Sequence, residues 1–207
     1  MELEKFTIQN MKSDFVELGI LIQDMLLQCH KSLTTSDLHE MKNIHEVERI
    51  FVQQSKIFDE KCLQYLACKQ PFAKDLRIIH ALIKLNRDFK MISEYIIKIF
   101  NKSLELMNTS YEMRKNELSR MCKHLQNQLQ FILEQLYSEN TQKVKAVLND
   151  FFVQSGCNTL HDEVIQQSLA ENWLHIPVLL NIFYCLERIA EYYHHFSLVI
   201  IDLYADT

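Results

Sequence analysis

Glycine and proline are nearly missing from this chain: 207 residues contain Gly19, Gly156, Pro71, Pro177 and no others. Ordinary usage would be about 7% glycine and about 5% proline. A phosphate-binding P-loop needs two glycines a few residues apart and a dinucleotide fingerprint needs three, so both are excluded. Sandwiches, barrels and propellers turn at glycine or Asn-Gly every few residues, and that material is absent too. Long uncharged apolar runs are also lacking, so no segment of about 18 residues reads as a membrane span. The start, Met1-Glu-Leu-Glu-Lys5, has neither the basic nor the apolar region of a secretory signal, which points to a cytoplasmic setting. Basic excess is lacking as well. A net charge of −5 and a pI near 6.0 argue against nucleic acid as a partner. The six cysteines form no Cys-x-x-Cys pair, so they read as small buried hydrophobes rather than a disulfide or zinc framework.

What is present is heptad-like spacing, at four places. Ile8, Met11, Phe15, Leu18, Ile22, Met25 and Cys29 step by three and four, as do Ile78, Leu82, Leu85, Phe89, Ile92, Ile96 and Ile99. Leu118, Cys122, Leu125, Leu129, Ile132 and Leu136 form a third run. Leu179, Ile182, Leu186, Ile189, Tyr193, Phe196, Ile200 and Leu203 form the fourth. Each places one apolar stripe on a long helix, the pattern of bundle packing at small crossing angles. Capping residues cluster at Thr34–Asp37 and Asn108–Ser110; Pro71 suits a helix's first turn, and Ser155-Gly156-Cys157-Asn158 reads as an interruption. The spacing predicts helices at about 3–33, 37–68, 71–106, 110–137, 139–154, 159–171 and 174–205. A shift of 97 lays the second run on the fourth, so the expected fold is all-α, two tandem three-helix units divided as 1–107 and 108–207. Gly19, inside the first helix, has no evident role.

Chemistry is sparse. Glu187 and Glu191 stand four apart on one helix with His194 three further on, and like charges at that spacing destabilise a helix unless a cation bridges them. Carboxylates with one imidazole suit a hard or borderline metal ion, although acids beside a heptad seam also form ordinary solvated faces. Glu191-x-x-His194 matches the step of di-iron carboxylate bundles, but that architecture requires a second such step and none occurs. There is no Gly-x-Ser-x-Gly elbow and no cysteine in an activating context. Trp173 reads as packing.

Leu66-Ala-Cys-Lys-Gln70-Pro71-Phe72-Ala73-Lys74-Asp75-Leu76-Arg77 resembles the Gln-Pro-x-Ala-x-Asp-Leu-Arg element of the PhoU family, and Leu186-Glu-Arg-Ile-Ala-Glu191 resembles its Leu-Glu-Arg-Ile-x-Asp signature. The resemblance spans essentially the whole chain. It implies two three-helix repeats in a cytoplasmic bacterial regulator. Such a protein would act by contacts with a phosphate ABC transporter and a two-component sensor kinase, damping phosphate-starvation signalling. It further implies acidic pairs on the second and third helix of each repeat that can hold iron or zinc. Carried onto this chain, the first-repeat pairs fall on Glu48 with Val52 and on Lys90 with Glu94, so two ligands are lost. Lys90 would repel a metal ion, or pair with Glu94 one turn along. In the second repeat the expected ligands are Glu187 and Glu191 with Asp150 and Gln154. Two other readings stand beside this one: a diverged helical interaction bundle without a phosphate role, and a metal-dependent carboxylate-bundle enzyme. An extended bundle with acidic faces also leaves room for a homodimer.

Overall fold

The computed structural model describes residues 7–34, 44–106, 112–138, 141–150, 152–168 and 176–204. Those residues form seven helices and, among them, no strand: α1 (Ile8–Thr34), α2 (Ile44–Lys69), α3 (Ala73–Leu106), α4 (Glu112–Ser138), α5 (Thr141–Leu148), α6 (Phe152–Ser168) and α7 (Ile176–Tyr204). Of the capping cluster expected at Thr34–Asp37 only Thr34 is described, as the last residue of α1; residues 35–37, the cluster at 108–110, the division at residues 107 and 108, and Trp173 lie outside the described residues.

The four heptad runs become the core. Apart from Ile8, which is partly buried, every residue counted in them is buried, on α1, α3, α4 and α7 respectively. Burying a large apolar side chain stabilises by about 1.5–3 kcal/mol before conformational entropy is set against it. Four such stripes therefore dominate the energetics. α1 packs against α3 and α4, and α7 against α3 and α4, so the four long helices surround one interior. α2 flanks α1 and α3, while α5 and α6 flank α4 and α7. Its single buried stripe (Ile44, Phe51, Ser55, Phe58, Cys62 and Tyr65) suits α2 to that outer place. α7 sits between two sets of neighbours and buries a wider face, adding Phe183, Cys185, Ala190 and Val199.

Helix ends follow local chemistry. Thr7 caps α1, its hydroxyl accepting the Asn10 N–H at 3.1 Å. Gln70 takes a left-handed φ of 43° and ends α2, a conformation common just past a helix C-terminus. Pro71 follows, and the Phe72 carbonyl accepts the first helical bond of α3 from Leu76 N at 3.0 Å. Pro71 thus precedes α3 by two residues instead of lying in its first turn. Pro177 does lie in the first turn of α7.

One expected interruption is absent. Ser155-Gly156-Cys157-Asn158 is continuous helix within α6, and the break falls earlier, around Asn149 and Asp150. Asp150 stops the helix because its side chain accepts the Phe152 N–H at 3.1 Å, starting α6 instead. Gly156 serves packing: a Cβ there would stand 2.5 Å from Met121 Cε. Gly19 has the same explanation, since a Cβ on it would meet Leu133 Cδ1 at 2.5 Å and Cγ at 3.2 Å. Both glycines allow α4 to approach a neighbour closely.

Five of the six free thiols are buried and Cys68 is exposed. Burial pushes Cys157 up to about 12 and Cys185 up to about 11, so these thiols stay protonated and act as core groups.

Gly19→Val is expected to lower unfolding free energy by about 1–3 kcal/mol through overpacking. Adding Leu133→Ala should return part of that loss in a urea-unfolding double-mutant cycle. Strict additivity would show that the α1–α4 approach does not depend on this glycine.

Candidate functional site

The sequence motif around Pro71 forms the turn from α2 into α3. Gln70, Ala73, Leu76 and Arg77 are exposed. Phe72 is 90% exposed and Leu76, one turn on, is 48% exposed. Asp75 sits in the first turn of α3, where the helix dipole favours an acid, and accepts a long hydrogen bond of 3.5 Å from the Tyr65 hydroxyl. The geometry of Gln70 explains the turn. The fold leaves the apolar side chains at 72 and 76 uncovered.

Below that turn, α2 and α3 share a polar cluster in which sequence reasoning named only one member. Asn86 is fully buried; its amide donates to Asp59 Oδ1 at 2.7 Å and to the Ser55 carbonyl at 3.1 Å, while the Ser55 hydroxyl donates to Asn86 Oδ1 at 2.9 Å. Lys90 Nζ donates to Asp59 Oδ2 at 2.5 Å. The ammonium therefore neutralises an acid on α2, and the expected Lys90–Glu94 pairing does not occur. Glu48 is turned toward His45 at 3.4 Å, and Val52 is exposed, so neither faces Lys90. Glu94 is exposed.

The displaced assignment has a simple cause. A shift of 97 and a shift of 101 differ by about one helical turn, so both superpose apolar stripes. At 101, Leu85-Asn86-Arg87 lies on Leu186-Glu187-Arg188, and the residues matching Glu187 and Glu191 become Asn86 and Lys90. Both point at α2. The α2 counterparts, Ser55 and Asp59, carried no legible signal: a serine and an aspartate four apart look like any polar positions beside a stripe.

In the second half the four expected ligands are dispersed among other duties. Glu191 is paired with Arg188 on its own helix. Asp150 starts α6 and has His124 Nε2 2.8 Å from its other oxygen, with the His124 ring packed on Phe152. Gln154 Oε1 is buried without a protein partner. Partial burial raises the pKa of Glu187 above the usual carboxylate value; Glu191 adds to the rise, while Arg188 and His161 oppose it. Among the described residues, no three His, Cys, Asp or Glu side chains converge as ligands. The set Asp150, Gln154, Glu187 and Glu191 thus does not fit a metal centre as arranged, because each acid but Glu187 is already engaged.

The outer side of the α3–α7 seam carries a row that sequence reasoning missed. Tyr95 of α3 lies between Tyr184 and Tyr192 of α7, with ring centroids 6.2 Å from each. Arg188 stacks over Tyr184 at 5.4 Å and Lys98 over Tyr95 at 4.9 Å. At one end His195 Nδ1 meets Asp88 Oδ2 at 2.5 Å, tying α7 to α3. Burial raises the Asp88 carboxyl, and the His195 contact opposes that rise.

Asn86→Ala is expected to lower unfolding free energy by about 1–3 kcal/mol, because it strands Ser55 and Asp59. Lys90→Met, which removes a half-exposed ion pair, should cost less than about 1 kcal/mol. Equal losses in urea unfolding would refute this division of roles.

Comparison with known proteins places these features. Residues 15–103 match the model of the PhoU domain. A phosphate-specific transport system accessory protein PhoU homolog from Synechocystis sp. is 22% identical over 151 residues, covering 70% of this chain and 67% of that protein. A homolog of the same description from Pseudomonas putida is 26% identical over 99 residues, covering 48% of this chain and 39% of its own length. The crystal structure of PhoU from Pseudomonas aeruginosa superposes with a TM-score of 0.89 at 20% identity, over 96% of this chain and 97% of that one. That likeness concerns the fold.

Proposed function

The chain is a divergent member of the PhoU family, and from that premise we propose that it regulates phosphate uptake and phosphate-starvation signalling. It works by protein contacts in the cytoplasm, with a phosphate ABC transporter and a sensor kinase as partners, rather than by catalysis. The observation that carries this reading is the PhoU-domain match over 15–103. It includes the motif from Gln70 to Arg77, in which Phe72 and Leu76 stay uncovered. Apolar side chains that a fold does not bury are available to a partner. No helix among the described residues is long and apolar enough to cross a membrane, so the transporter would be met from outside the bilayer.

The reading works without a resident metal. Asp59 already holds the ammonium of Lys90 in the first half. In the second half, iron or zinc at Glu187 and Glu191 would require Arg188 to release Glu191. The second reading, a bundle that has kept the fold and lost the phosphate role, is favoured by Asn86 and Lys90 standing, at a shift of 101, where the second half has Glu187 and Glu191.

Deleting the gene in the source organism should raise phosphate uptake and starvation signalling in phosphate-rich medium. Unchanged uptake and signalling would remove the regulatory reading in favour of the second. Purified without chelator, the wild-type chain should carry no stoichiometric iron or zinc by elemental analysis. Stoichiometric metal that disappears in Glu187→Ala/Glu191→Ala would overturn that expectation and establish the acidic site.

A further inference from the structure

α1 and α2 run antiparallel, and their outer faces do not close completely over one another. Between them lies a cavity of about 260 Å³. Its floor is apolar, with Leu21, Ile57 and Phe58, and its rim carries Asp14, Glu17 and Lys61. Leu21 is only partly buried against the core, and Ile50, two turns from Ile57 on the same side of α2, is 36% exposed.

Charge along this groove does not cancel. Lys61 is held by Asp14 at 2.7 Å, so that pair is neutral. Glu17 is exposed and has no ion-pair partner among the described residues. Asp24 stands two turns beyond Glu17 on the same face of α1 and is likewise without one. The other cations of these two helices lie off the groove. Arg49 is paired with Glu46. Lys56 is two residues from the buried Phe58, about 200° round the helix, and is exposed on the side away from the core. Lys31 stands two turns past Asp24, in the last turn of α1, and Lys12 and Lys69 lie at the other end of the bundle beside Thr7. The groove thus joins an apolar floor to two uncompensated carboxylates about 10 Å apart along the helix.

We propose that the α1–α2 groove receives a basic amphipathic helix from the cytoplasmic side of the phosphate transporter's membrane-spanning subunit. This assignment rests on the regulatory reading above. A helix laid in the groove buries its apolar stripe on Leu21 and Ile57 and sets lysine or arginine against Glu17 and Asp24. Cations two turns apart on that helix meet both acids. Cytoplasmic segments flanking membrane spans are where lysine and arginine accumulate, so the membrane subunit supplies this chemistry. The α1–α4 groove is a poorer complement, because its one acid, Glu134, already accepts a hydrogen bond from Gln130 at 3.1 Å.

Binding of the full chain to the purified complete transporter in lipid nanodiscs, read by biolayer interferometry at low and high salt, tests the groove. Glu17→Lys/Asp24→Lys should weaken binding about tenfold or more, and added salt should weaken the wild type. Glu94→Lys/Glu134→Lys makes the same change of net charge at exposed positions outside the groove and should bind as wild type. Thermal melts confirm that each variant is folded, and the milder Glu17→Gln/Asp24→Asn serves if the charge reversal unfolds the chain. Undiminished binding by the groove variants, or equal loss with Glu94→Lys/Glu134→Lys, would overturn the groove and leave the regulatory reading standing. Equal binding to the isolated ATPase subunit, or binding that survives replacement of the membrane subunit's cytoplasmic lysines and arginines by glutamine, would overturn the basic segment as occupant. Binding only to the sensor kinase would overturn the transporter as its source. No binding by the wild type would overturn the docking proposal, while the gene-deletion measurement decides the regulatory reading separately.

Discussion

Phe15, Phe89 and Phe196 meet where α1, α3 and α7 come together. Phe15 stacks on Phe89 with centroids 4.8 Å apart, and Phe89 packs on Phe196 at 4.9 Å. Offset and tilted rings at these separations add about 0.5–1.5 kcal/mol per pair beyond the area they bury. Their more important effect is positional. A ring from each of three helices, in contact at one depth, fixes how far each helix slides along the others. The α3–α7 register then follows, and with it the meeting of His195 with Asp88 and of Tyr95 with Tyr184 and Tyr192.

The same core explains why the two halves are not independent bodies. α1 touches α4 and α3 touches α7 over long stretches, so each half completes its hydrophobic enclosure with helices of the other. Close approach at Gly19 tightens the α1–α4 seam, and Gly156 does the same between α6 and α4. The flanking helices carry the remaining polar specialisation. α2 presents Ser55 and Asp59 to α3, whereas α6 starts on the Asp150 cap and lies against Met121 through Gly156.

Divergence shows most clearly at matched positions on α3 and α7. At a shift of 101, Asn86 and Lys90 align with Glu187 and Glu191 of the second half. An amide and an ammonium turn that face from a cation acceptor into a self-neutralised contact, because Asp59 is satisfied within the protein. Glu187 shows the opposite condition, a carboxyl whose partial burial disfavours its charge and which no partner fully compensates. A protein that works through contacts can keep the first arrangement as structure and the second as surface chemistry.

The scarcity of glycine and proline and the four apolar runs determined the all-α class and the central stripes of α1, α3, α4 and α7, since a stripe on a long helix has only one way to leave water. The buried faces of α2, α5 and α6 lay outside those runs. The same signals also located the turn at Gln70 and Pro71. Periodicity could not determine longitudinal register, because a slip of four residues leaves a stripe in place, and that ambiguity put Lys90 against Glu94 instead of Asp59. Nor could it show that Gly156 lies inside a helix, since a glycine that ends a helix and one that admits Met121 are written alike. Only tertiary packing decided which polar residues meet. The Asn86 cluster and the tyrosine seam join residues 27 to 97 positions apart, brought together by ring contacts between helices that no local pattern encodes.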